Sequence, residues 1–401
     1  MVGYKGADVL VIDPDAGLCL AQPLCSADIG VGRHQLHTPS AWAAAVAHTV
    51  GVPATYLRSE LDADGVPLRV ECAVPGGSKM PNARLRWADW VPQPPLHERI
   101  SWERPCWMAS ATAYIDREIG QIGGRRTAPL IQVRHNAMVA LIKAETTRGP
   151  VWLKTLGEPF SREARAMKAL SALCPTALPT IMADEADWFI LDSFAVQGDG
   201  RPTDPYAVLA DLQIASARAP DRFGDWPRRD VAALAEGCRN VIEMHPLIDA
   251  AIAQRLEASL PDLAAFAARA AGCGLPDTVV HGDFHADNRY WTGRRWIFYD
   301  WSDSVVGHPL LDFGLAYHLE PPDRLRAGLL AYADRWKRAF PATDMATALA
   351  TAPVLSCAHQ LICYAAIARS IPSLHAWSQR QMSLWAGRVA DAVERAGPGF
   401  T

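Results

Sequence analysis

The 401-residue sequence has no uninterrupted apolar run of about eighteen residues, and its N-terminus lacks a basic segment followed by an apolar core. Neither a membrane-spanning helix nor a secretion signal is expected, and the protein reads as cytoplasmic. Charge of one sign is not in excess either. Lys and Arg number 39 against 43 Asp and Glu, which leaves a net charge of −4 and a pI near 6.3. So balanced a chain offers no electrostatic footprint for nucleic acid or an anionic membrane. The nine cysteines include no Cys-x-x-Cys pair and no neighbouring His pattern, which argues against a zinc site. Cys357 and Cys363 sit in an apolar helical run, so reduced thiols acting as small core residues are the default.

What is present is ordinary in bulk and specific in one place. Half of the residues are hydrophobic and a fifth charged, enough for two or three domains with real cores. The specific stretch is Thr278-Val-Val-His-Gly-Asp-Phe-His-Ala-Asp-Asn288, followed by Arg295-Trp-Ile-Phe-Tyr-Asp-Trp301. An apolar run ends in His281-Gly282-Asp283, Asn288 falls five residues after Asp283, and a second apolar run delivers Asp300. Phosphoryl transfer needs a carboxylate to orient the acceptor hydroxyl and take its proton, and oxygen ligands for the magnesium that bridges the phosphates. Asp283 suits the first task; Asn288 and Asp300 suit the second. The bland alternative is a β-hairpin loop with incidental polar residues, and three such groups at these intervals between two strand-like runs weigh against it.

The Asp-x4-Asn spacing with a later strand-borne Asp matches the kinase catalytic loop. His-Gly-Asp in place of His-Arg-Asp, and Asp300-Trp301-Ser302 in place of Asp-Phe-Gly, resemble the aminoglycoside phosphotransferase and choline kinase-like families. That resemblance implies an α+β, bilobal protein-kinase-like fold, with a small antiparallel β lobe and a larger helical lobe. It also implies ATP and Mg2+ as cofactors and a small-molecule hydroxyl acceptor. Lys154, in the strand-like run Val151 to Leu156, then holds the phosphates, and Glu163, in a helix starting near Ser161, orients it. Taken alone, Lys154 and Glu163 read rather as surface residues of a strand and a helix, and the loop downstream is what favours the functional pair. Backbone groups around Asp192 and Phe194, at the end of the run from Trp188, are the expected adenine contacts. The protein-kinase Gly-rich loop is absent, and the turn at Arg134 to Asn136 is left as the guess for a phosphate clamp.

Along the chain, residues 1–92 read as a small α+β domain, 93–128 as a linker and helix, 129–194 as the nucleotide-binding lobe, and 195–401 as the helical lobe. Strands are expected at Ala7 to Ile12, Leu18 to Ala21 and Leu68 to Val74, with a helix capped by Ser40 and stopped by Gly51. The order resembles a degenerate Nudix domain. Ala44, Ala45, His48 and Thr49 stand where that family's metal-binding helix carries its Arg-Glu and Glu-Glu pairs, so hydrolysis by this unit is not expected. An unrelated α+β domain remains the alternative. Pro92, Pro94 and Pro95 mark the linker. Three strand-like runs, Pro129 to Val133, Ala137 to Ala144 and Val151 to Leu156, precede two more, Leu178 to Met182 and Trp188 to Phe194. Helices follow at Tyr206 to Ala217, Asp230 to Met244, Ile248 to Ala271, Arg324 to Phe340, Met345 to Ser370 and Gln379 to Arg395.

Three further roles are expected within and beyond this loop. Asp312, in Gly307-His-Pro-Leu-Leu-Asp-Phe-Gly314, is read as a brace for the catalytic loop or a helix N-cap. His281 is read as a structural hydrogen-bonder, while His285 faces phosphate or acceptor. Asp287, Trp301, Asp303, His359, Tyr364 and His375 are candidate acceptor-pocket residues. Near-balanced charge in the C-terminal half counts against a polycationic acceptor and points to a sugar, nucleoside, amino alcohol or other hydroxylated natural product. A non-catalytic nucleotide-binding regulator is the competing reading. Modification of a peptide is disfavoured, because only six residues separate Asp300 from Gly307.

Overall fold

A computed structural model describes residues 7–20, 22–26, 29–31, 35, 38–61, 66–77, 87–92, 94, 99–185, 188–194, 198–244 and 248–397. Ala21, Pro95 and Gln197, which the sequence assigned to a strand, a linker and an exit loop, lie outside the described residues. The chain divides into two compact units, Met1–Glu158 with Met182–Ser193, and Pro159–Ile181 with Phe194–Thr401.

The first unit begins with β1 (Asp8–Asp13), β2 (Leu18–Leu20), β3 (Leu24–Cys25), α1 (Pro39–Val50), β4 (Thr55–Leu61), β5 (Pro67–Ala73) and β6 (Trp87–Asp89). The strand order is β4-β5-β1-β2-β6, with β3 also on β1, and β1 and β5 run parallel. Val9 and Val11 alternate onto the face where α1 lays Trp42, Val46 and Val50, spaced four apart on one helical stripe. The helix starts before Ser40, with Thr38 at the N-cap, because Pro39 needs no N–H partner and is preset for the first helical position. Gly51 ends it in the left-handed conformation, φ 76°. Strand β4 escaped the sequence reading; its charged residues and register shifts blur the period of two.

In the same unit α2 (Trp107–Gln121) packs Trp107, Ala111, Ile115 and Ile119 against Ala140, Ile142, Leu153 and Ile190. Those residues belong to a second sheet, β7 (Ile131–His135), β8 (Val139–Ala144), β9 (Val151–Leu156), β10 (Ile181–Glu185) and β11 (Trp188–Asp192), in the order β10-β11-β9-β8-β7. One buried polar joint ties the two sheets. The Gln132 amide accepts from Tyr56 N (3.1 Å) and donates to Tyr56 O (2.9 Å). It also donates to His135 Nδ1, whose Nε2–H in turn donates to Trp102 O at 2.9 Å.

The second unit is mostly helical: α3 (Glu163–Ser171), α4 (Pro205–Ala217), α5 (Leu234–Met244), α6 (Ala250–Ala271), α7 (Ala316–Leu319), α8 (Pro322–Ala339), α9 (Met345–Ser370) and α10 (His375–Ala396). Short strands thread it: β12 (Arg228–Arg229), β13 (Thr278–Val280), β14 (Arg289–Trp291), β15 (Trp296–Phe298) and β16 (Val305–Gly307). By length and apolarity α9 could cross a membrane, but most of it is buried and it packs with α5, α6 and α10 in one core. Asp230 caps a short 3-10 turn rather than α5 itself, so that helix begins four residues later than its polar start signal implies. The α+β, protein-kinase-like class expected from the sequence is the one observed, a five-stranded sheet in one unit and a helical second unit bearing the catalytic loop.

The buried joint makes a direct prediction. Replacing Gln132 by Leu leaves both backbone groups of Tyr56 unpaired and should lower stability by about 2–4 kcal/mol in a urea titration. Burial depresses His135 to about 4. A histidine held neutral contributes stability above its unfolded pKa, so that contribution should fade as pH drops from about 6.5 through about 4.

Candidate active site

The loop is built from the end of β13, whose three residues are all buried and pair with β16. The chain then turns at Gly282, with φ 86°. A Cβ there would sit 2.5 Å from the Asp303 carbonyl oxygen. Both facts require glycine. They explain why the position before Asp283 is Gly rather than Arg in this chain.

A single carboxylate fixes this turn. Asp312 accepts from His281 N (3.1 Å) and Gly282 N (2.8 Å), and the Gln213 amide donates to it at 2.8 Å. Gln213 is itself held by the Tyr332 hydroxyl, 2.6 Å away, and by donation to Pro309 O. Burial pushes Asp312 up to about 7, although three donors favour its ionised form. From the other side, the Gln360 amide on α9 donates to Gly282 O. Asp312 thus braces the loop, as expected, whereas Gln213, Tyr332 and Gln360 carried no signal in the sequence. Their relevance arises from contacts 78 to 119 residues apart in the chain.

His281 is fully buried, with its pKa lowered to about 4 by burial. Its Nε2–H donates to Tyr299 O (3.0 Å), its Nδ1 accepts from Asp283 N, and its ring lies 4.4 Å from Trp301. It is a spacer between the two halves of the site, and no part of it is offered to a ligand. The Asn288 amide donates to both Asp283 O and Asp283 Oδ2, each at 2.8 Å. That commits its NH2 group and leaves Oδ1, an oxygen, as the end free for a cation. His285 Nε2 lies 3.6 Å from the Asp283 carboxylate, which raises the histidine's pKa.

Hairpin β14–β15 carries the third residue. Tyr299 binds the loop through its N–H to Asn288 O and its hydroxyl to Asp287 O. Asp300 follows in the left-handed region, φ 66° and ψ 58°, the only non-glycine residue with positive φ among those described. Such a conformation costs about 1–3 kcal/mol and persists where surrounding structure over-determines it. Its Oδ1 accepts from the Ser302 hydroxyl at 3.0 Å. At the other end of the hairpin, the Arg289 guanidinium forms a buried ion pair with Glu320 and lies over Tyr206 and Phe284. Neither charge was singled out in the sequence, since an Arg and a Glu 31 residues apart have no visible relation.

Among the described residues no three His, Cys, Asp or Glu side chains gather as a self-sufficient metal cage. Two protein oxygens, Asn288 Oδ1 and an Asp300 carboxylate, are the donor set found for a hard cation that completes its shell with phosphate and water. The remaining expected nucleotide residues fall in both units. Lys154 is buried on β9, between Leu141 of β8 and Phe189 of β11. Glu163 is buried as the first residue of α3 in the second unit. Asp192 ends β11 exposed, with its carboxylate accepting from Ser193 N. Phe194 stacks on Tyr299 at 5.4 Å between ring centroids and tilts against Tyr290, so it stands beside the hairpin that leads into Asp300. Of the residues expected to line the acceptor pocket, Trp301 and His359 are fully buried and present no surface to a ligand. Asp287 and His375 are exposed, and Asp303 and Tyr364 are partly so.

The model of the phosphotransferase enzyme family matches residues 158–345. That span holds Glu163, Asp283, Asn288, Asp300 and Asp312, and it begins after the N-terminal α+β region. No curated protein matches the chain. Among solved structures, a type I macrolide 2'-phosphotransferase shares 17% identity over 70% of this chain and 97% of its own, with a TM-score of 0.48. An aminoglycoside phosphotransferase mutant in complex with ADP and hygromycin B shares 16% over 72% and 99%, TM-score 0.46. An ethanolamine kinase of Plasmodium vivax shares 12% over 74% and 91%, TM-score 0.49. The resemblance read from the catalytic loop is therefore met independently, over the segment that contains that loop.

Two substitutions test the brace. Gly282→Ala should lower the denaturation midpoint by an amount corresponding to about 1–3 kcal/mol, the strain of a side chain at positive φ. Asp312→Asn turns an NH2 group toward donating backbone amides and should cost about 1–3 kcal/mol. The raised pKa also sets a sign. A carboxylate whose folded pKa lies above its unfolded value adds most stability at acid pH, and that contribution declines as pH rises from about 4 to about 7. Comparing the unfolding free energies of the two proteins across that range should show this slope in the wild type and not in the variant.

Proposed function

We propose that the protein is an ATP- and Mg2+-dependent cytoplasmic phosphotransferase that moves the γ-phosphate to a hydroxyl of a small molecule. Sugars, nucleosides, amino alcohols, antibiotics and other natural products are the acceptor classes. The observation that carries this reading is the pair Asn288 and Asp300. One has its amide locked onto Asp283 so that its oxygen is left over. The other is held in a strained left-handed conformation directly after the hairpin that grips the loop.

In this reading Asp283 orients the acceptor hydroxyl and takes its proton as the oxygen–phosphorus bond forms and the bond to the departing ADP oxygen breaks. Asn288 does two things at once: it fixes the Asp283 carboxylate and presents an oxygen to the cation. Magnesium, when bound, supplies the charge that neutralises the phosphates. Lys154 contributes a further positive charge to the phosphates, with Glu163 as its partner. Phe194 gives the nucleotide base an aromatic neighbour, and the backbone near Asp192 offers polar contacts. Residues 1–92 serve as an accessory α+β module outside the chemistry.

Magnesium-dependent ADP release should be stimulated by at least one member of a panel of hydroxylated small molecules. Asp283→Ala should cut that rate by about 10²–10⁴, the range for a positioned general base. Asp300→Asn should abolish the magnesium-dependent rate. Equal ADP release by the wild type and Asp283→Ala would sink the assignment.

A further inference from the structure

In the second unit one cation is not accounted for by the groups assigned to phosphoryl transfer. Arg229 lies on β12, paired in parallel with β16 at Gly307. Gly307 allows that closeness, because a Cβ there would meet Arg229 O at 2.6 Å. The neighbouring Arg228 faces Asp277 at 3.9 Å. Arg229 points the other way. Its guanidinium lies against Cys363 on α9, and its charge is felt at His359 as well. Its Nε is buried and has no hydrogen-bond partner among the described residues.

The surroundings of this guanidinium lead through α9 to the loop that carries Asp283. Cys363 senses the charges of Asp303 and Asp283, and so does Tyr364, the next residue on α9. One turn earlier, Gln360 holds Gly282 O. Asp303 is packed directly against Gly282. Tyr364 and Trp377 meet edge to face at 5.5 Å and give the same region an aromatic wall. Cys363, Tyr364, Trp377 and Arg229 are all partly accessible. Desolvating part of an arginine without giving it a full set of acceptors is costly, and each such group calls for an explanation, of which a ligand is one. The guanidinium's planar fork suits a carboxylate or phosphate, which it binds in bidentate fashion.

We infer that the acceptor is a hydroxylated oxyanion, a hydroxy acid or a hydroxyalkyl phosphate, whose anionic group is bound by Arg229 while its hydroxyl meets Asp283. This rests on the phosphotransferase reading and narrows it. It replaces a neutral acceptor by one whose carboxylate or phosphate charge is displaced from the reacting oxygen. Arg229 acts as a specificity residue that touches the substrate and not the transferred group. The Asp283 and Asp303 carboxylates repel an anion placed too deep, so the two signs together fix the orientation.

The test uses the full-length protein and matched acceptors: glycerate with glyceramide, gluconate with gluconamide, and glycerol 3-phosphate with glycerol. ADP release should favour at least one oxyanion over its neutral partner by at least tenfold in kcat/KM, carried mainly by KM. Carboxylate pairs and the phosphate pair separate the two sources of the charge. In Arg229→Gln the preference should fall to about one, and in Arg229→Lys it should be retained in part, which a mere loss of folding would not produce. Ligand-observed NMR with the same compounds in the presence of ADP reads binding without turnover. Oxyanion binding without ADP release would leave Arg229 assigned and reject the phosphotransferase reading. Equal or better binding and turnover of the neutral partners would overturn the Arg229 assignment, whichever way the chemistry stands.

Discussion

The catalytic loop depends on one buried carboxylate. Asp312 receives two consecutive backbone N–H groups, those of His281 and Gly282, at the point where β13 stops and its ladder can no longer satisfy them. Without an acceptor, those donors would be desolvated and unpaired. The same bonds pin the backbone immediately before Asp283, so the position of the Asp283 carboxylate follows from the position of Asp312. Gln213 and Tyr332, from two helices of the core, transmit the rigidity of that core to the loop. Removing solvent from this network strengthens every bond in it and makes each one harder to lose.

A second constraint acts from the hairpin. Tyr299 clamps the loop with its backbone and its hydroxyl, and the neutral His281 ring fills the space between loop and hairpin. Asp300 then takes a backbone conformation that L-residues avoid. Strain of this kind is affordable only because both flanks are fixed, by β15 on one side and by the 3-10 turn at Trp301 on the other. The buried Arg289–Glu320 pair closes the arrangement beyond Asn288, with the guanidinium sandwiched by aromatic rings. Asn288 and Asp300 are thereby held without having to be held by a metal, which is the preorganisation that charge stabilisation requires.

Arg229 belongs to neither constraint. It braces no loop, and no partner satisfies its Nε among the described residues, yet its charge acts on Cys363, which also senses Asp303 and Asp283. A group so placed distinguishes what the site does from whom it does it to. The groups proposed to carry the transfer, Asp283, Asn288 and Asp300, come from a short continuous segment. The group proposed to read the acceptor comes from a separate strand about fifty residues earlier. Such separation lets one chemistry serve different substrates.

Much of this was readable in the linear sequence. Asp283, Asn288 and Asp300 could be singled out because the task proposed for them fixes both residue type and interval, and the flanking apolar runs show that a strand precedes each half. Lys154 was legible only through its place in a strand, and α9 through its length and apolarity, though composition could not say whether lipid or protein would cover it. Strand β4 was missed because charges and bulges broke its alternation, and the start of α1 shifted because proline at the first turn outweighs serine as a cap. Tertiary structure alone decided the rest. It chose glycine at 282 by bringing the Asp303 carbonyl against it, made Asp312 a brace by burying it beside two unpaired amides, and took Trp301 and His359 from the acceptor pocket into the core. It also brought Arg229 to α9. The reason is physical: catalytic ligands must be a fixed few residues apart, so their pattern is local, whereas a buried polar group is satisfied by whatever the fold carries to it across any length of chain.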